Sequence, residues 1–333
     1  MELNKMFCDH MVFQANKPFR VFGTGVGTIS VKIDGISKVS VSNEDNWLVE
    51  LPEHNYGGPY TMTVELNGDE RIINDIYFGD VYLIAGQSNI EYRLWQTNTP
   101  ESEYEPNSLV RTFFTKIDSE ANQPESGEEW IVAGKENVHY WSAIGWLMAK
   151  ELSKESGHAI GVVCCFRGAT CIQSFLPKNI FKGTALEKFS EENSGHLRNQ
   201  QYIDWNHDGF LYNEKFTKLI PYIFKAVIWY QGESNANHLE SSDDYKEMLK
   251  VLINRWRSDL LDPELPFVVV QISDLTYAGN PECWKMVQKA QSEIVEMDSV
   301  YCVESRDVCE NNNIHPPTKT LLSKRIKDVL KNL

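Results

Sequence analysis

Three segments of the chain carry residue types that together could perform nucleophilic chemistry. The first, residues 80–89, is a short apolar run that leads into Ser88, beside Gly86 and two amide side chains. A serine hydroxyl is a poor nucleophile at neutral pH, so it needs a neighbouring base, donors for an oxyanion and a turn that lifts it clear of a sheet. Gly86 permits such a turn because glycine adopts left-handed backbone angles easily. Ser88 is therefore the first candidate nucleophile.

Two further apolar runs and one histidine supply the possible partners. Residues 159–166 precede Gly168, residues 226–230 precede Gln231, and His315 stands before a proline near the end of the sequence. A lone Gly-x-Ser would be typical of an ordinary buried strand and turn. Together with Gly168, Gln231 and His315, however, the Gly-x-Ser string predicts a nucleophile, two oxyanion donors and a base.

Composition excludes several classes of protein. Of the 333 residues, 42% are hydrophobic and 24% are charged, and no apolar run is as long as a membrane span. We therefore expect that the chain is not an integral membrane protein. The formal net charge of −15 opposes a phosphate backbone, so we expect no nucleic-acid partner.

The cysteines and the first residues indicate a reducing compartment. The seven cysteines are odd in number, include adjacent Cys164 and Cys165 in an apolar run, and form no C-x-x-C pair. This pattern favours reduced core thiols over a disulfide framework or a zinc site, and we expect no metal and no cofactor. The N-terminal residues lack the basic start and apolar core of a signal peptide, which predicts a cytoplasmic protein.

The hydrophobic pattern changes its period near residue 77. Up to residue 76, short alternating runs are broken by Gly, Asn-Gly and Asp-Gly, which is typical of a small antiparallel β-sandwich. Residues 77–333 instead alternate apolar runs with helical patterns, which predicts a three-layer α/β/α domain with a parallel sheet. The candidate residues follow apolar runs and so fall at the carboxyl ends of its strands, where such sheets place their sites. Residues 97–139 and 178–210 lack periodicity and are interpreted as long loops with one short helix each.

Several strings resemble the sialate O-acetylesterase group of carbohydrate acetylesterases, a branch of the SGNH hydrolases. The resemblance covers nearly the whole chain, and its most specific string is Trp-Tyr-Gln-Gly-Glu-Ser-Asn. The matching strings are residues 9–14 (DHMVFQ), 79–81 (GDV), 86–89 (GQSN), 142–145 (SAIG), 229–236 (WYQGESNA) and 314–316 (IHP), with Lys17-Pro18 and Lys319.

The resemblance implies a serine esterase that needs no cofactor. Ser88 would attack an acetyl ester, and His315 would serve as its general base. The backbone amides of Ser88 and Gly168 and the side chain of Gln231 are the candidate oxyanion donors, although Gly168 also suits an ordinary turn and Asn235 competes with Gln231. The implied substrate is an acetylated mono- or oligosaccharide, derived from sialic acid or hemicellulose.

The chain departs from the family pattern beside the histidine. Relatives commonly carry an aspartate two residues before it, and the wider SGNH pattern three before, where this chain has Asn313 and Asn312. An amide can orient an imidazole but cannot stabilise an imidazolium as a carboxylate does. We expect either a Ser-His dyad helped by Asn313 or a backbone carbonyl, or an acid supplied by Asp307 or Glu310.

A second departure concerns the substrate pocket, where Phe166-Arg167-Gly168 replaces the usual tryptophan and paired glycines. Arg167 suits a carboxylate-bearing sugar such as sialic acid, but a surface ion pair explains it equally well. Glu233 is also interpreted as a scaffold acceptor for loop amides. The residues grouped as substrate-binding are Gln87, Asn89, Arg167, Glu233 and Asn235, with Trp95, Trp205 and Tyr212 as possible stacking surfaces for sugar rings.

Two other functions remain open from the sequence: a general short-chain carboxylester hydrolase, and a catalytically inactive carbohydrate-binding relative. The absent aspartate favours the second, while the intact Ser88 and His315 oppose it. The acetylated sugar, the oligomeric state and the task of the sandwich are left open.

Overall fold

The computed structural model describes residues 1–118, 128–190, 192, 204–275, 280–310 and 312–333. The predicted α/β/α architecture with a preceding antiparallel sandwich is confirmed. The strands are β1 (Glu2–Leu3), β2 (Val12–Gln14), β3 (Phe19–Thr24), β4 (Gly27–Ile33), β5 (Ile36–Ser42), β6 (Asn46–Leu51), β7 (Gly57–Leu66), β8 (Asp69–Gly86), β9 (Asn107–Phe114), β10 (Trp130–Ala133), β11 (Ile160–Phe166), β12 (Ala226–Tyr230), β13 (Phe267–Val270) and β14 (Val300–Val303).

The α-helices of the described residues fall into two groups. The helices are α1 (Ser88–Glu91), α2 (Ala143–Ser156), α3 (Leu239–Asp243), α4 (Tyr245–Asp259), α5 (Pro281–Glu293) and α6 (Thr320–Leu330). Helix α2 packs on α6, while α3, α4 and α5 pack on one another. None of the described helices is long and apolar enough to cross a membrane.

The central sheet has the strand order β10-β9-β11-β8-β12-β13-β14, parallel throughout except for β10 at one edge. Every residue of β11, β12 and β13 is buried, as expected for parallel strands covered on both faces. The carboxyl ends of the parallel strands lie at one edge of the sheet. Ser88, Gly168 and Gln231 lie at that edge, just after β8, β11 and β12.

Strand β8 runs without a break from the sandwich into the central sheet. Its first part pairs antiparallel with β7, and its last residues lie between the parallel strands β11 and β12. The predicted division between residues 76 and 77 falls inside this strand, and its status as a domain boundary stays a prediction. One continuous strand thus joins the sandwich to the turn that carries Ser88.

The interpretation of residues 97–139 as loops is wrong in part. Strands β9 and β10 lie there and extend the sheet, because β9 buries five consecutive residues against β11. Within 178–210, residues 191 and 193–203 lie outside the described residues, and the described part contains a short 3₁₀ turn at Glu187–Phe189. Helix α2 begins after its Ser142 cap and ends at Gly157, whose φ of 73° is a left-handed conformation that glycine adopts readily.

Candidate active site

The nucleophile candidate sits on a tight strand-to-helix turn. Gly86 ends β8 with φ of 135°, and a Cβ at this position would lie 2.1 Å from the Tyr230 carbonyl oxygen. The next residue, Gln87, donates its N–H to that same carbonyl at 3.0 Å, and Ser88 then begins α1. Only glycine fits both the backbone angle and the space, so this turn fixes where Ser88 projects.

Ser88 and His315 are in direct contact. The Ser88 Oγ lies 2.7 Å from Nε2 of His315, the distance of a strong hydrogen bond. The imidazole stacks on the ring of Tyr92, with centroids 5.5 Å apart. Burial lowers the pKa of His315, and the positive charge of Lys319 lowers it further. The neutral ring, which can accept a proton from serine, is therefore favoured at neutral pH.

Gly168 lies beside the nucleophile. A Cβ on Gly168 would be 3.5 Å from the Ser88 Cβ, and the preceding N–H, of Arg167, bonds to the Gly86 carbonyl at 3.1 Å. The Gly168 carbonyl accepts a hydrogen bond from the Trp205 indole at 3.0 Å. This placement is compatible with the Gly168 and Ser88 amides as oxyanion donors, which stays a prediction.

The structure does not support Gln231 as an oxyanion donor. Its side chain has no exposure, and Nε2 lies 2.8 Å from Asn235 Oδ1 and 3.0 Å from the Thr170 carbonyl, so both amide hydrogens are used. The Oε1 accepts from the hydroxyl of Tyr245 at 2.8 Å, which fixes the orientation of the amide. Gln231 braces the loop instead of facing a substrate.

Two residues grouped as substrate-binding also belong to this brace. Gln87 is buried, and its Oε1 accepts from Gln231 and from the Gly232 and Ser234 amides at 3.2–3.4 Å. Asn235 is equally buried: its Oδ1 accepts from the Ile172 amide as well as from Gln231, and its Nδ2 bonds to Gln173 at 3.2 Å. Both predictions are corrected, because these amides point into the protein.

Asn89 and Glu233, the other buried members of that group, lie under the histidine loop. Asn89 Nδ2 donates to Glu233 Oε1 at 2.6 Å and to the Ile314 carbonyl at 2.9 Å, and its Oδ1 accepts from Lys319 Nζ at 2.7 Å. Burial raises the pKa of Glu233 to about 6 and lowers that of Lys319 to about 7. Neither Asn89 nor Glu233 faces the solvent, so the prediction that they bind substrate is corrected to an internal role.

None of the candidate orienting side chains, Asn313, Asp307 and Glu310, is hydrogen-bonded to the imidazole. Asn313 Oδ1 accepts the backbone N–H of His315 at 3.0 Å. Asp307 forms a bidentate ion pair with Arg325, at 2.7 and 2.6 Å, and Glu310 accepts from the amide and hydroxyl of Thr318. The predicted orienting roles of Asp307, Glu310 and the Asn313 side chain are therefore not supported.

A cavity of about 470 Å³ opens above Ser88 and His315. Aromatic rings make up much of its wall, and charged side chains stand among them. Its lining residues are Ser88, Glu91, Tyr92, Arg93, Trp95, Gln96, Phe114, Thr115, Tyr140, Phe166, Arg167, Lys215 and His315. This mixture of flat apolar surface and polar groups suits a sugar, which presents CH faces as well as hydroxyls.

Of the residues predicted to contact a sugar, some line the cavity and others do not. Arg167 lies at the wall, with its guanidinium 4.2 Å from the centre of the Trp205 ring, and Trp95 is 58% exposed there. Trp205 supports Arg167 and Gly168 from behind. Tyr212 is buried and bonds to Asp259 at 2.8 Å, so it cannot stack on a sugar in this cavity.

The same geometry identifies residues that the sequence interpretation missed. Glu91 and Arg93 line the cavity beside the nucleophile; Arg93 donates to the Tyr140 carbonyl at 3.0 Å and approaches Glu91 at 3.5 Å. Glu91 lies three residues after Ser88 on α1, so helical spacing could have found it. For Lys319, the only signal in the sequence was its position shortly after the Ile-His-Pro string.

Comparison with known proteins assigns the family. The sequence profile described as "carbohydrate esterase, sialic acid-specific acetylesterase" matches residues 78–326, well over half of the chain. The chain belongs to this family. The chain is similar to sialate O-acetylesterases from Pongo abelii and Homo sapiens, each 24% identical over 92% of this chain. The chain spans 65% of the length of these two relatives.

One solved structure resembles the protein over its full length. The crystal structure of a carbohydrate acetylesterase from Xanthomonas citri superposes with a TM-score of 0.83 at 27% identity, covering all of this chain and 76% of that one. The sandwich and the α/β/α unit are therefore both shared with this carbohydrate acetylesterase. Within the described part of the chain, no cluster of His, Cys, Asp or Glu could hold a metal ion, and all seven cysteines are free thiols.

Proposed function

We propose that the protein is a serine O-acetylesterase that removes acetyl groups from carbohydrates. The observation that carries the proposal is the 2.7 Å contact between Ser88 Oγ and His315 Nε2 on the floor of an aromatic cavity. Membership of the carbohydrate esterase family supports the reaction class.

The acylation step follows from this contact. As the Ser88 Oγ attacks the acetyl carbonyl, Nε2 of His315 takes the hydroxyl proton, and the carbonyl oxygen becomes negative. The Ser88 and Gly168 amides are the proposed donors to that oxygen; one such donor is worth about 10²–10³ in kcat. The bond to the sugar oxygen then breaks, and the imidazolium returns its proton to the departing sugar hydroxyl.

Deacylation repeats the proton transfers with water. His315 takes a proton from a water molecule, which attacks the acetyl-Ser88 carbonyl. The imidazolium then protonates the serine oxygen as its bond to the acyl carbon breaks, and acetic acid leaves and ionises to acetate in solvent. The lowered pKa of His315 helps here, because the ring is neutral between cycles. The same lowering makes the imidazolium a stronger acid toward the leaving oxygen.

The residues that line the cavity favour a carbohydrate substrate, and one of them could bind a carboxylate group. Trp95 and Tyr140 are 58% and 50% exposed and offer faces on which a sugar ring can stack. Arg167 offers a guanidinium at the wall, next to Gly168, where it could pair with the carboxylate of a sialic acid. Neutral acetylated xylo- or manno-oligosaccharides would use the aromatic faces without this pair.

Acetate release tests the proposal. Wild type and Ser88→Ala are compared on O-acetylated sialic acid, acetylated xylo-oligosaccharides and acetylated manno-oligosaccharides. We expect release from at least one sugar by wild type and none above background by Ser88→Ala. Retained release in the variant would refute the serine mechanism; binding of these sugars without any release would favour a non-catalytic carbohydrate-binding protein.

A further inference from the structure

One side chain connects the nucleophile turn to the histidine loop. Asn89 follows Ser88 in α1, and its Nδ2 donates to the carbonyl of Ile314, the residue before His315, at 2.9 Å. Asn89 is 1% exposed, so water cannot replace this bond easily. The contact ties together the main chains that carry the two reacting groups.

Two buried groups of opposite charge hold that side chain on both sides. Glu233 Oε1 accepts the second Nδ2 hydrogen at 2.6 Å, and Lys319 Nζ donates to Oδ1 at 2.7 Å. Glu233 and Lys319 are 3% and 1% exposed. A buried charge is costly to leave alone, so the carboxylate and the ammonium stabilise each other across the Asn89 amide. The amide can therefore neither rotate nor flip without losing charged partners.

We propose that Asn89, held by Glu233 and Lys319, is the positioning residue for His315 and performs the alignment that a carboxylate on the imidazole would otherwise perform. The inference rests on the proposed function. It is needed because Asn313 binds only the main chain of His315 and Asp307 is paired with Arg325, so no acid among the described residues is hydrogen-bonded to the ring.

The charged and titratable groups around the imidazole give this role a second readout. Lys319 faces it from the following turn, and Tyr92 stacks on it from the segment after α1. Glu233, from the loop after β12, and Glu310 act on Lys319. A change at Asn89 that lets His315 move therefore alters both its contact with Ser88 and its exposure to these groups.

The first test measures the Ser88–His315 contact directly. A fluorophosphonate phosphonylates an activated serine with loss of fluoride and needs no sugar recognition, so the rate of Ser88 labelling reports the activation of Ser88 independently of the substrate. Asn89→Leu keeps the branched shape and the number of side-chain heavy atoms and removes all three hydrogen bonds. We expect labelling and kcat to fall about 100-fold, as for a misplaced catalytic group, with KM changed by less than roughly threefold. The acid limb of the labelling rate against pH should also move.

A matched control separates positioning from general stability. Asn67 in the sandwich is exposed, and its side chain likewise binds the main chain of another segment: it donates to the Val26 carbonyl at 3.1 Å and accepts from the Thr28 amide at 2.8 Å. Asn67→Ala should lower Tm while labelling proceeds at the wild-type rate. A wild-type labelling rate in Asn89→Leu, or an equal loss in Asn67→Ala, would overturn the inference.

A second set of variants decides the question even where Asn89→Leu does not fold. Glu233→Gln and Lys319→Met each leave one charge buried without its partner, so each should slow labelling, and the double variant should label at least about tenfold faster than the slower single variant. If the reductions in labelling rate of the two single variants instead multiplied in the double variant, Glu233 and Lys319 would act independently, which would contradict the inference. Normal labelling of wild type without acetate release from any sugar would count against the proposed substrate and leave this inference intact.

Discussion

Asn313 binds the backbone of His315, and no hydrogen bond joins the two side chains. The Asn313 Oδ1 accepts the His315 N–H at 3.0 Å, which closes a local turn of the Asx type. The position at which relatives commonly carry an aspartate thus shapes the loop here, while Asn89, Glu233 and Lys319 lie beneath it.

Replacing Asn313 by aspartate should keep or raise activity. A carboxylate oxygen can still accept the His315 N–H, and its charge would stabilise the imidazolium. We therefore expect kcat to be at least that of wild type and the acid limb of kcat/KM to move to higher pH. Steady-state kinetics on a nitrophenyl acetate would check both; a large loss in kcat would show that the amide has a role of its own.

The pH profile of the wild-type enzyme should reflect the lowered pKa of His315. Burial and Lys319 both disfavour the imidazolium, so the folded-state pKa lies below the ordinary value of 6.5. The base acts only when unprotonated, so kcat/KM should rise with pH and reach half its plateau below pH 6.5. Acetate release between acidic and neutral pH would measure this, and a midpoint above neutrality would contradict the electrostatic description of the site.

Gly86→Ala should remove activity and destabilise the fold. The new Cβ would lie 2.1 Å from the Tyr230 carbonyl oxygen at a φ of 135°. We expect the free energy of unfolding to fall by more than about 3 kcal/mol, from backbone strain together with a clash. Gly35→Ala is the control: its φ is 77°, but nothing lies within 4 Å of the added Cβ.

The control variant should lose only about 1–2 kcal/mol and keep full activity, since it carries the backbone cost alone and lies in the sandwich. Thermal or urea unfolding of both variants, with activity measured in parallel, makes the comparison. Equal stability losses in Gly86→Ala and Gly35→Ala would show that the turn beside Ser88 tolerates a side chain.

Arg167→Gln should separate acidic from neutral sugars. If the guanidinium pairs with a substrate carboxylate, the variant should lose about tenfold or more in kcat/KM on O-acetylated sialic acid, as a charge-assisted hydrogen bond is worth about 1.5–3 kcal/mol. Release from acetylated xylo-oligosaccharides should not change. Arg306→Gln, at an exposed ion pair with Asp274, is the control. An equal loss on both sugars would assign Arg167 to the scaffold.

The sequence predicted the fold best where burial and periodicity agree. Strands β11 and β12 were placed correctly, because both are unbroken apolar runs. Strand β9 was missed because Arg111 and Thr112 interrupt its apolar pattern. The structure buries this arginine by stacking it 4.1 Å from the centre of the Tyr77 ring and pairing it with Asp75 at 3.1 Å. Such long-range compensation has no local signal.

The same limit explains the errors at the site. The order of Ser88, Gly168 and His315 along the chain was enough to predict that the sheet edge gathers them. The direction of an amide was not predictable: Gln231 and Asn235 satisfy each other and the loop carbonyls inside the protein. The pairing of Asp307 has no local signal either, because Arg325, which binds both of its oxygens, lies eighteen residues later in the chain.

Trapping the covalent intermediate tests the central claim most directly. Wild type is mixed with an acetyl ester, quenched in acid within the first turnovers and digested, and the peptide containing Ser88 is analysed by mass spectrometry. We predict an acetyl group on Ser88 in wild type and none in Ser88→Ala. Steady acetate release by wild type with acetyl found on another residue, while Ser88→Ala still turns over, would contradict the account.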